Sequence, residues 1–321
     1  MPRTLIVILN FRTASQTCDC LESLACEGPE ASGFRVVIVD NSSDDGSATT
    51  IAAFIHANGW DDWARLMARS KNDGFAAGNN AALEQALPAS PKFDYFLLLN
   101  PDTLVCPGGV AGLVAFLDQH PRAGIAGSRL EDPDGTPQRS AFRFPGILSE
   151  FERAIRLGIC TRLLASRLVA PPVRDDVYRT DWLAGASMLV RREVFEQIGL
   201  MDAGYFLYFE ELDFCLRTIR AGWECWYVPT SRVVHLVGQA TGLKSGKTQR
   251  KRMPAYWFES RRRYFEKSHG WFYARMADLA WMCGHLLWRL RRLAQRKPYD
   301  DPPHLFWDFI TLSFLPRRGV K

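Results

Sequence analysis

The chain has no Cys-x-x-Cys pair, although it carries eight cysteines, Cys18, Cys20, Cys26, Cys106, Cys160, Cys215, Cys225 and Cys283. Cys18 and Cys20 lack a second ligand pair, so a zinc site is not expected, and the scatter argues for a reduced, cytosolic setting. No apolar run near the N-terminus has signal-peptide length: Leu5–Leu9 is five residues long, too short for the hydrophobic region of a leader. No uncharged stretch reaches the roughly 20 residues that span a bilayer. The longest in the C-terminal part, Leu279–Trp288, has ten residues and contains His285. There is no G-x-G-x-x-G after the first apolar run and no G-x-x-x-x-G-K-S/T, so neither a dinucleotide-binding fold nor a P-loop is supported. No internal period is present, which excludes a repeat array. What is present is 321 residues, 47% hydrophobic and 23% charged, enough for one large domain with an appendage or for two domains.

The organising stretch is Tyr95-Phe96-Leu97-Leu98-Leu99-Asn100-Pro101-Asp102. Its apolar run reads as a strand buried on both faces, as in a parallel sheet. Pro101 cannot donate to a ladder, so the strand ends there. Asp102 is then placed at the carboxyl end of a central strand, the edge where open α/β sheets bind ligands. A short carboxylate at that place suits an oxygen-ligated divalent cation that also holds a diphosphate. It equally suits a turn in which Asp102 caps the next helix. Around this stretch, strands are predicted at 5–9, 34–39, 64–68 and 123–127. Helices are predicted at 15–24, 48–58, 81–87 and 109–120. This alternation argues a parallel sheet with right-handed crossovers. A helix over 148–164, a return to the sheet over 180–190, a helix over 192–198, a helix starting near Glu210 and a last strand from Cys225 complete the reading.

Three acidic or polar clusters share one sheet edge in this arrangement: Asp40-Asn41, Asn100-Pro101-Asp102 and Glu210-Glu211. Asp40-Asn41 closes the second strand, where Asp40 suits hydrogen bonds to a base or ribose or, alternatively, an Asx-turn with the following Asp44-Asp45-Gly46. Asn72 to Asn80 suits a polar backbone nest facing a nucleotide or a glycine-rich connection. Glu210-Glu211 follows Tyr205, Phe206, Tyr208 and Phe209, and a carboxylate in an apolar wall has a raised pKa, which suits a general base. The alternative is a pair of helix-start carboxylates satisfying free backbone N–H groups. His235 reads as a buried polar residue, a surface one or a ligand.

Five segments in order carry a family resemblance: Val37–Ser47, Asn72–Asn80, Leu98–Thr103, Gly185–Arg192 and Phe209–Arg217. Together they resemble the family 2 glycosyltransferases of GT-A fold, and within them the bacterial rhamnosyltransferase-like branch, over about residues 4–240. The resemblance implies an α/β fold with a mostly parallel central sheet flanked by helices. It implies a catalytic domain over 1–240 and a helical, basic-aromatic appendage over 241–321. The implied reaction is inverting transfer of a sugar from a nucleoside diphosphate donor to a glycan or lipid-linked glycan acceptor in cell-surface polysaccharide synthesis. Rhamnose from dTDP-rhamnose is the first choice of donor. The alternatives are a galactofuranosyl or other hexosyl donor, or a catalytically weak nucleotide-sugar-binding scaffold. By the same resemblance, Asp40 holds the nucleoside, and Asn10, Asn41, Asn72, Gly74, Asn80 and Asn100 line the nucleotide-sugar site. Asp102 binds a divalent ion, Mg²⁺ or Mn²⁺, with His235 as a further ligand. Glu211 is the base, with Glu210 and Asp213 as nearby alternatives, and Trp182, Gly185 and Ala186 face the acceptor. Two positions depart from the family pattern: Asn100 replaces the first Asp of the metal motif, and Glu211 stands where an Asp is usual.

The net charge of +5 is uneven, with Lys, Arg and aromatic residues concentrated over 244–297. That pattern suits an anionic membrane surface, with aromatics at headgroup depth, or an amphipathic cap on the catalytic domain. The expectation is a cytoplasmic protein peripheral on the inner face of the membrane. Nucleic acid is not expected as a partner, since no RNA- or DNA-binding pattern is present.

Overall fold

The computed structural model describes residues 3–236, 251–299 and 301–314. The start of the basic tail, residues 244–250, lies outside them. In chain order the first half runs β1 (Thr4–Asn10), α1 (Ala14–Cys26), α2 (Pro29–Ser32), β2 (Phe34–Asp40), α3 (Ser47–Ala57), β3 (Ala64–Ala68), α4 (Phe75–Ala86), β4 (Tyr95–Leu99), β5 (Thr103–Val105), α5 (Gly109–Gln119) and β6 (Ala123–Glu131). Then come β7 (Ala141–Phe142), α6 (Ile147–Ile155), α7 (Gly158–Leu163), β8 (Tyr178–Thr180), β9 (Trp182–Leu183), β10 (Ser187–Arg191), α8 (Arg192–Ile198), α9 (Glu210–Arg220), β11 (Glu224–His235), α10 (Ala255–His269), α11 (Trp271–Ala294) and α12 (Leu305–Phe314).

The chain forms two compact units. The first comprises Met1–Phe142, Pro172–Phe206 and Glu210–Ser245; the second comprises Arg143–Pro171, Leu207–Phe209 and Gly246–Lys321. In the first, the main sheet has the order β3-β2-β1-β4-β10-β6-β11-β5, with β8 pairing β11. Strands β3, β2, β1 and β4 are mutually parallel, and β6 is parallel to β11. The expected βαβ alternation is therefore present. Continuous apolar runs explain it: Ile6, Val7 and Ile8 of β1 and Phe96, Leu97 and Leu98 of β4 are buried on both faces.

The return strand differs from its neighbours. β10 lies between β4 and β6 and runs antiparallel to both. The helix expected over 148–164 is two helices, because Arg156 adopts a left-handed conformation, φ 49°, at the end of α6. The Asn72–Asn80 stretch is mostly helical, since α4 already begins at Phe75; only its first three residues are available as a loop.

In the second unit, α6 packs along α11, and Gly284 permits the approach: a Cβ there would meet Phe151 O at 2.7 Å. Ala154, Phe258, Trp281 and Phe309 form its apolar cluster. Arg261, 1% exposed, crosses this core and is held by Glu150 at 2.8 Å and Asp278 at 2.5 Å. Arg153 reaches Glu150 at 3.1 Å, and Arg275 reaches Asp278 at 3.1 Å.

Candidate active site

Parallel register places the ends of β1 and β2 side by side, with Asn10 opposite Asp40. Asn10 Nδ2 donates to Asp40 Oδ1 at 2.6 Å. Ser43 Oγ donates to the same oxygen at 2.5 Å, and Ser43 N donates to Oδ2 at 3.1 Å. Both carboxylate oxygens of Asp40 are therefore engaged in closing the loop. Next to it, Asn41 Nδ2 donates to Asn72 Oδ1 at 2.8 Å, and Arg69 Nη1 donates to Asn41 Oδ1 at 2.5 Å. Asn72 Oδ1 also accepts from Gly74 N at 3.0 Å. Gly74 has φ +97°, and a Cβ there would lie 2.0 Å from Phe206 O, so this position requires glycine both for conformation and for space. Phe75 N donates to that Phe206 oxygen at 2.8 Å. Asn80 is turned elsewhere: its amide brackets Met201, donating to Met201 O at 2.8 Å and accepting from Met201 N at 3.2 Å.

After β4, the chain turns through Asn100-Pro101-Asp102 and pairs as β5 with the end of β11, antiparallel, so that Thr103 faces His235. Leu236 N donates to Asp102 O at 2.9 Å. This ladder brings His235 Nε2 to 3.5 Å from Asp102 Oδ1, with Asp102 6% exposed. On the other side of the ring, Gln138 Oε1 lies 3.2 Å from His235 Nδ1, and Gln138 Nε2 donates to His235 O at 2.8 Å. With Nδ1 protonated toward Gln138, the Nε2 lone pair faces Asp102, the tautomer a metal ligand needs. Among the described residues, no cluster of three or more His, Cys, Asp or Glu side chains forms a closed metal cage. Asp102 and His235 are the two side chains here that could hold a divalent ion.

Glu211 sits in the first turn of α9 with Glu210 and Asp213, where the helix dipole favours carboxylates. Glu211 Oε1 accepts from Gly185 N at 3.3 Å. Gly185 makes room for it, since a Cβ there would meet Glu211 Cγ at 2.9 Å and the Phe75 ring at 3.3 Å. Desolvation raises the Glu211 pKa above its ordinary 4.5, against the weaker pull of its own and Gly185's backbone N–H groups. Ala186, the next residue, accepts from Asn100 N at 3.0 Å. A short backbone path therefore joins the Asn-Pro-Asp turn to the carboxylate of Glu211.

The other carboxylates of this turn are more deeply covered. Glu210 is 2% exposed and Asp213 is 1% exposed. Asp213 accepts from Arg217 Nε at 3.0 Å, and Arg217 in turn donates to Ile198 O and Leu200 O, both at 2.8 Å. Asp213 thereby ties α9 to the 198–200 loop. Trp182 stacks on Phe142, ring centroids 4.3 Å apart. Two residues of the site lie outside the sequence-derived set. Gln138 carries no motif and is found only through its contact with His235. Phe75 lies inside the Asn72–Asn80 motif, among the Asn and Gly residues that carry its polar signal.

A family model, Glycosyl transferase family 2, matches residues 5–199. An N-acetylglucosaminyl-diphospho-decaprenol L-rhamnosyltransferase of Mycobacterium tuberculosis is 32% identical over 232 residues, covering 68% of this chain and 71% of that protein. Rhamnosyltransferase WbbL of Escherichia coli K12 is 32% identical over 167 residues, 50% of this chain and 60% of that one. Among solved structures, GalNAc-T7 with UDP, GalNAc and Mn²⁺ superposes with a TM-score of 0.58 at 16% identity, over 98% of this chain. The chain spans about half the length of that protein, 54%. The sheet has the GT-A type architecture, with its polar clusters at the strand ends. On the family match and the rhamnosyltransferase relatives, the chain belongs to glycosyl transferase family 2.

Proposed function

We propose that this chain transfers a rhamnosyl group, with inversion, from a dTDP-rhamnose donor to a lipid-linked glycan in cell-surface polysaccharide synthesis. The single observation that carries the reading is the backbone path that links the Asn-Pro-Asp turn through Ala186 and Gly185 to the raised-pKa carboxylate of Glu211. The names of the relatives support the donor and acceptor classes.

In this reading, Glu211 accepts the proton of the acceptor hydroxyl as that oxygen bonds to the anomeric carbon. The bond from that carbon to the diphosphate oxygen breaks, and the nucleoside diphosphate leaves with the electron pair. Asp102 and His235 would hold a divalent cation, Mg²⁺ or Mn²⁺, which when bound supplies positive charge beside the departing diphosphate. Asn10, Asp40, Asn41, Asn72, Gly74 and Asn100 line the donor side, with Asp40 setting the loop that receives the nucleoside. Trp182, Gly185 and Ala186 border the acceptor, and Glu210 and Asp213 are the other carboxylates of the helix start. The protein acts at the cytoplasmic face of the membrane, bound peripherally. Among the described residues no helix is long and apolar enough to cross a membrane.

A catalytically weak, nucleotide-sugar-binding scaffold is the rival, favoured by Asn100, which removes one carboxylate from the metal motif. Thermal-shift measurements with dTDP-rhamnose, UDP-galactofuranose, UDP-glucose, UDP-N-acetylglucosamine and GDP-mannose, each with and without Mg²⁺ or Mn²⁺, test the reading. A ligand of the native state raises the melting temperature by mass action. The expected result is a metal-dependent rise with dTDP-rhamnose that Asp102→Ala abolishes, followed by transfer to a lipid-linked acceptor. A rise without any transfer favours the scaffold; a flat response to every donor overturns both.

A further inference from the structure

Helix α11 has two faces. One is packed inside its unit: Ala274, Ala277, Trp281, Gly284, His285 and Trp288 are buried. The other is turned outward and is also apolar. Phe272, Met276, Leu279, Cys283, Leu286, Leu290 and Leu293 recur at intervals of four and three residues along the whole helix, a stripe roughly 100° wide on a helix of 3.6 residues per turn. Each is exposed: Phe272 72%, Leu290 64% and Leu293 62%. Half of the exposed large apolar side chains among the described residues lie on this one helix, and a continuous exposed apolar surface of this kind marks an interaction site.

Charge identifies what covers it. From Trp271 to Lys297 the basic residues are Arg275, Arg289, Arg291, Arg292, Arg296 and Lys297, and the single carboxylate is Asp278. Asp278 is 1% exposed and bound inside the unit by Arg261 and Arg275. The outward face therefore presents no carboxylate. By helical spacing, Arg289 borders the stripe on one side and Arg291 on the other, while Arg296 and Lys297 are exposed at its C-terminal end; Arg275 is held inward by Glu266 and Asp278. Trp271, 67% exposed, stands at its start. Two copies paired through this stripe would bring Arg289, Arg291, Arg296 and Lys297 together with no carboxylate on the outward face of the helix to offset them, whereas an anionic surface turns the same charges into attraction.

We propose that the outward face of α11 is a docking surface for an anionic lipid bilayer, with the helix lying in the interface plane and its Leu and Phe side chains at the acyl boundary. The proposal deepens the proposed function, on which it rests for its role: a face that holds the enzyme on the membrane that carries its acceptor.

The test is flotation of the full chain with vesicles of phosphatidylcholine alone and of phosphatidylcholine with phosphatidylglycerol, at low and high salt. It is run on wild type and on the combined variant Leu279→Glu, Leu286→Glu, Leu290→Glu. Wild type is expected to float with the anionic vesicles only and to be released by salt. The variant, altered only at exposed positions, is expected to keep the wild-type melting temperature and to lose at least tenfold in bound fraction. Transfer to a water-soluble, short-chain acceptor is expected to be unchanged in the variant. Failure of wild type to float, or flotation of the variant at the wild-type level, overturns the proposal. A dimeric wild type that ignores vesicles, beside a monomeric variant, also overturns it and assigns the face to a second copy. Transfer without vesicle binding sinks the docking surface and leaves the proposed function standing; vesicle binding without transfer does the reverse.

Discussion

Glu211 at the sheet edge and Glu150 in the helical unit are both glutamates in the first turn of a helix, and their surroundings move them in opposite directions. At Glu211 desolvation dominates, and only backbone N–H groups oppose it, so the pKa rises above 4.5. At Glu150 desolvation acts too, but the guanidinium groups of Arg153 and Arg261 outweigh it, so the pKa falls below 4.5. A buried carboxylate clamped by guanidinium groups is committed to structure, since its charge is matched in place. A half-buried carboxylate opposed only by backbone N–H groups, that of Gly185 at 3.3 Å, keeps its proton affinity available for chemistry. The difference teaches that residue type and helix position do not distinguish the two roles; the partner does.

Four experiments break or sharpen this contrast. Glu211→Gln is expected to lower transfer by about 10²–10⁴-fold, the usual worth of a general base, in initial-rate assays with donor and metal saturating. Because the folded-state pKa of Glu211 is raised, its ionisation opposes folding at neutral pH, so the same variant should melt slightly higher than wild type. Near-wild-type turnover in purified Glu211→Gln would remove the base from this position. Arg261→Ala leaves Glu150 and Asp278 buried without their shared partner, and a loss of about 3–5 kcal/mol is expected in urea unfolding. A loss under 1 kcal/mol would show that the clamp is not structural.

Gly185→Ala drives its new Cβ against Glu211 Cγ at 2.9 Å. Displacement of the carboxylate by about 1 Å is expected to cost up to 10²-fold in kcat, with the melting temperature little changed; unchanged kcat would detach Glu211 from this contact. The smallest effect is a separation in pH. Transfer should decline as the pH falls through the raised pKa of Glu211. The contribution of Glu150 has the other sign: it is present above the unfolded value of 4.5 and is lost as the pH falls through the lower folded value. Rate and far-ultraviolet dichroism followed against pH should therefore fail in that order, activity first; coincident midpoints would contradict the assignment of opposite shifts.

Much of this was legible along the chain. Apolar runs bounded by polar turns located β1, β2 and β4, because a strand buried on both faces is predominantly apolar; β3, at the sheet edge, is partly exposed and carries Arg65. The Asn-Pro-Asp turn was visible as the end of β4, because proline cannot continue a ladder. The direction of β10 was not visible, since a buried strand has the same composition whether it runs parallel or antiparallel. The break at Arg156 was silent for a related reason: its left-handed turn uses an arginine, not the glycine or asparagine that usually marks one. The engagement of Asn80 with Met201 was likewise hidden, because it depends on a loop placed beside it by the fold, whereas Asp213 and Arg217 are an i,i+4 pair on one helix.

The sequence by itself determined the alternation of strands and helices, the polar edge they create and the candidates for its chemistry, because hydrophobic period and turn chemistry are local properties. Only the tertiary structure decided which candidates meet. The pairing of β5 with the end of β11 set His235 beside Asp102, and the antiparallel entry of β10 set Gly185 against Glu211. Such contacts arise from strand register between distant segments, and register is a property of the assembled sheet.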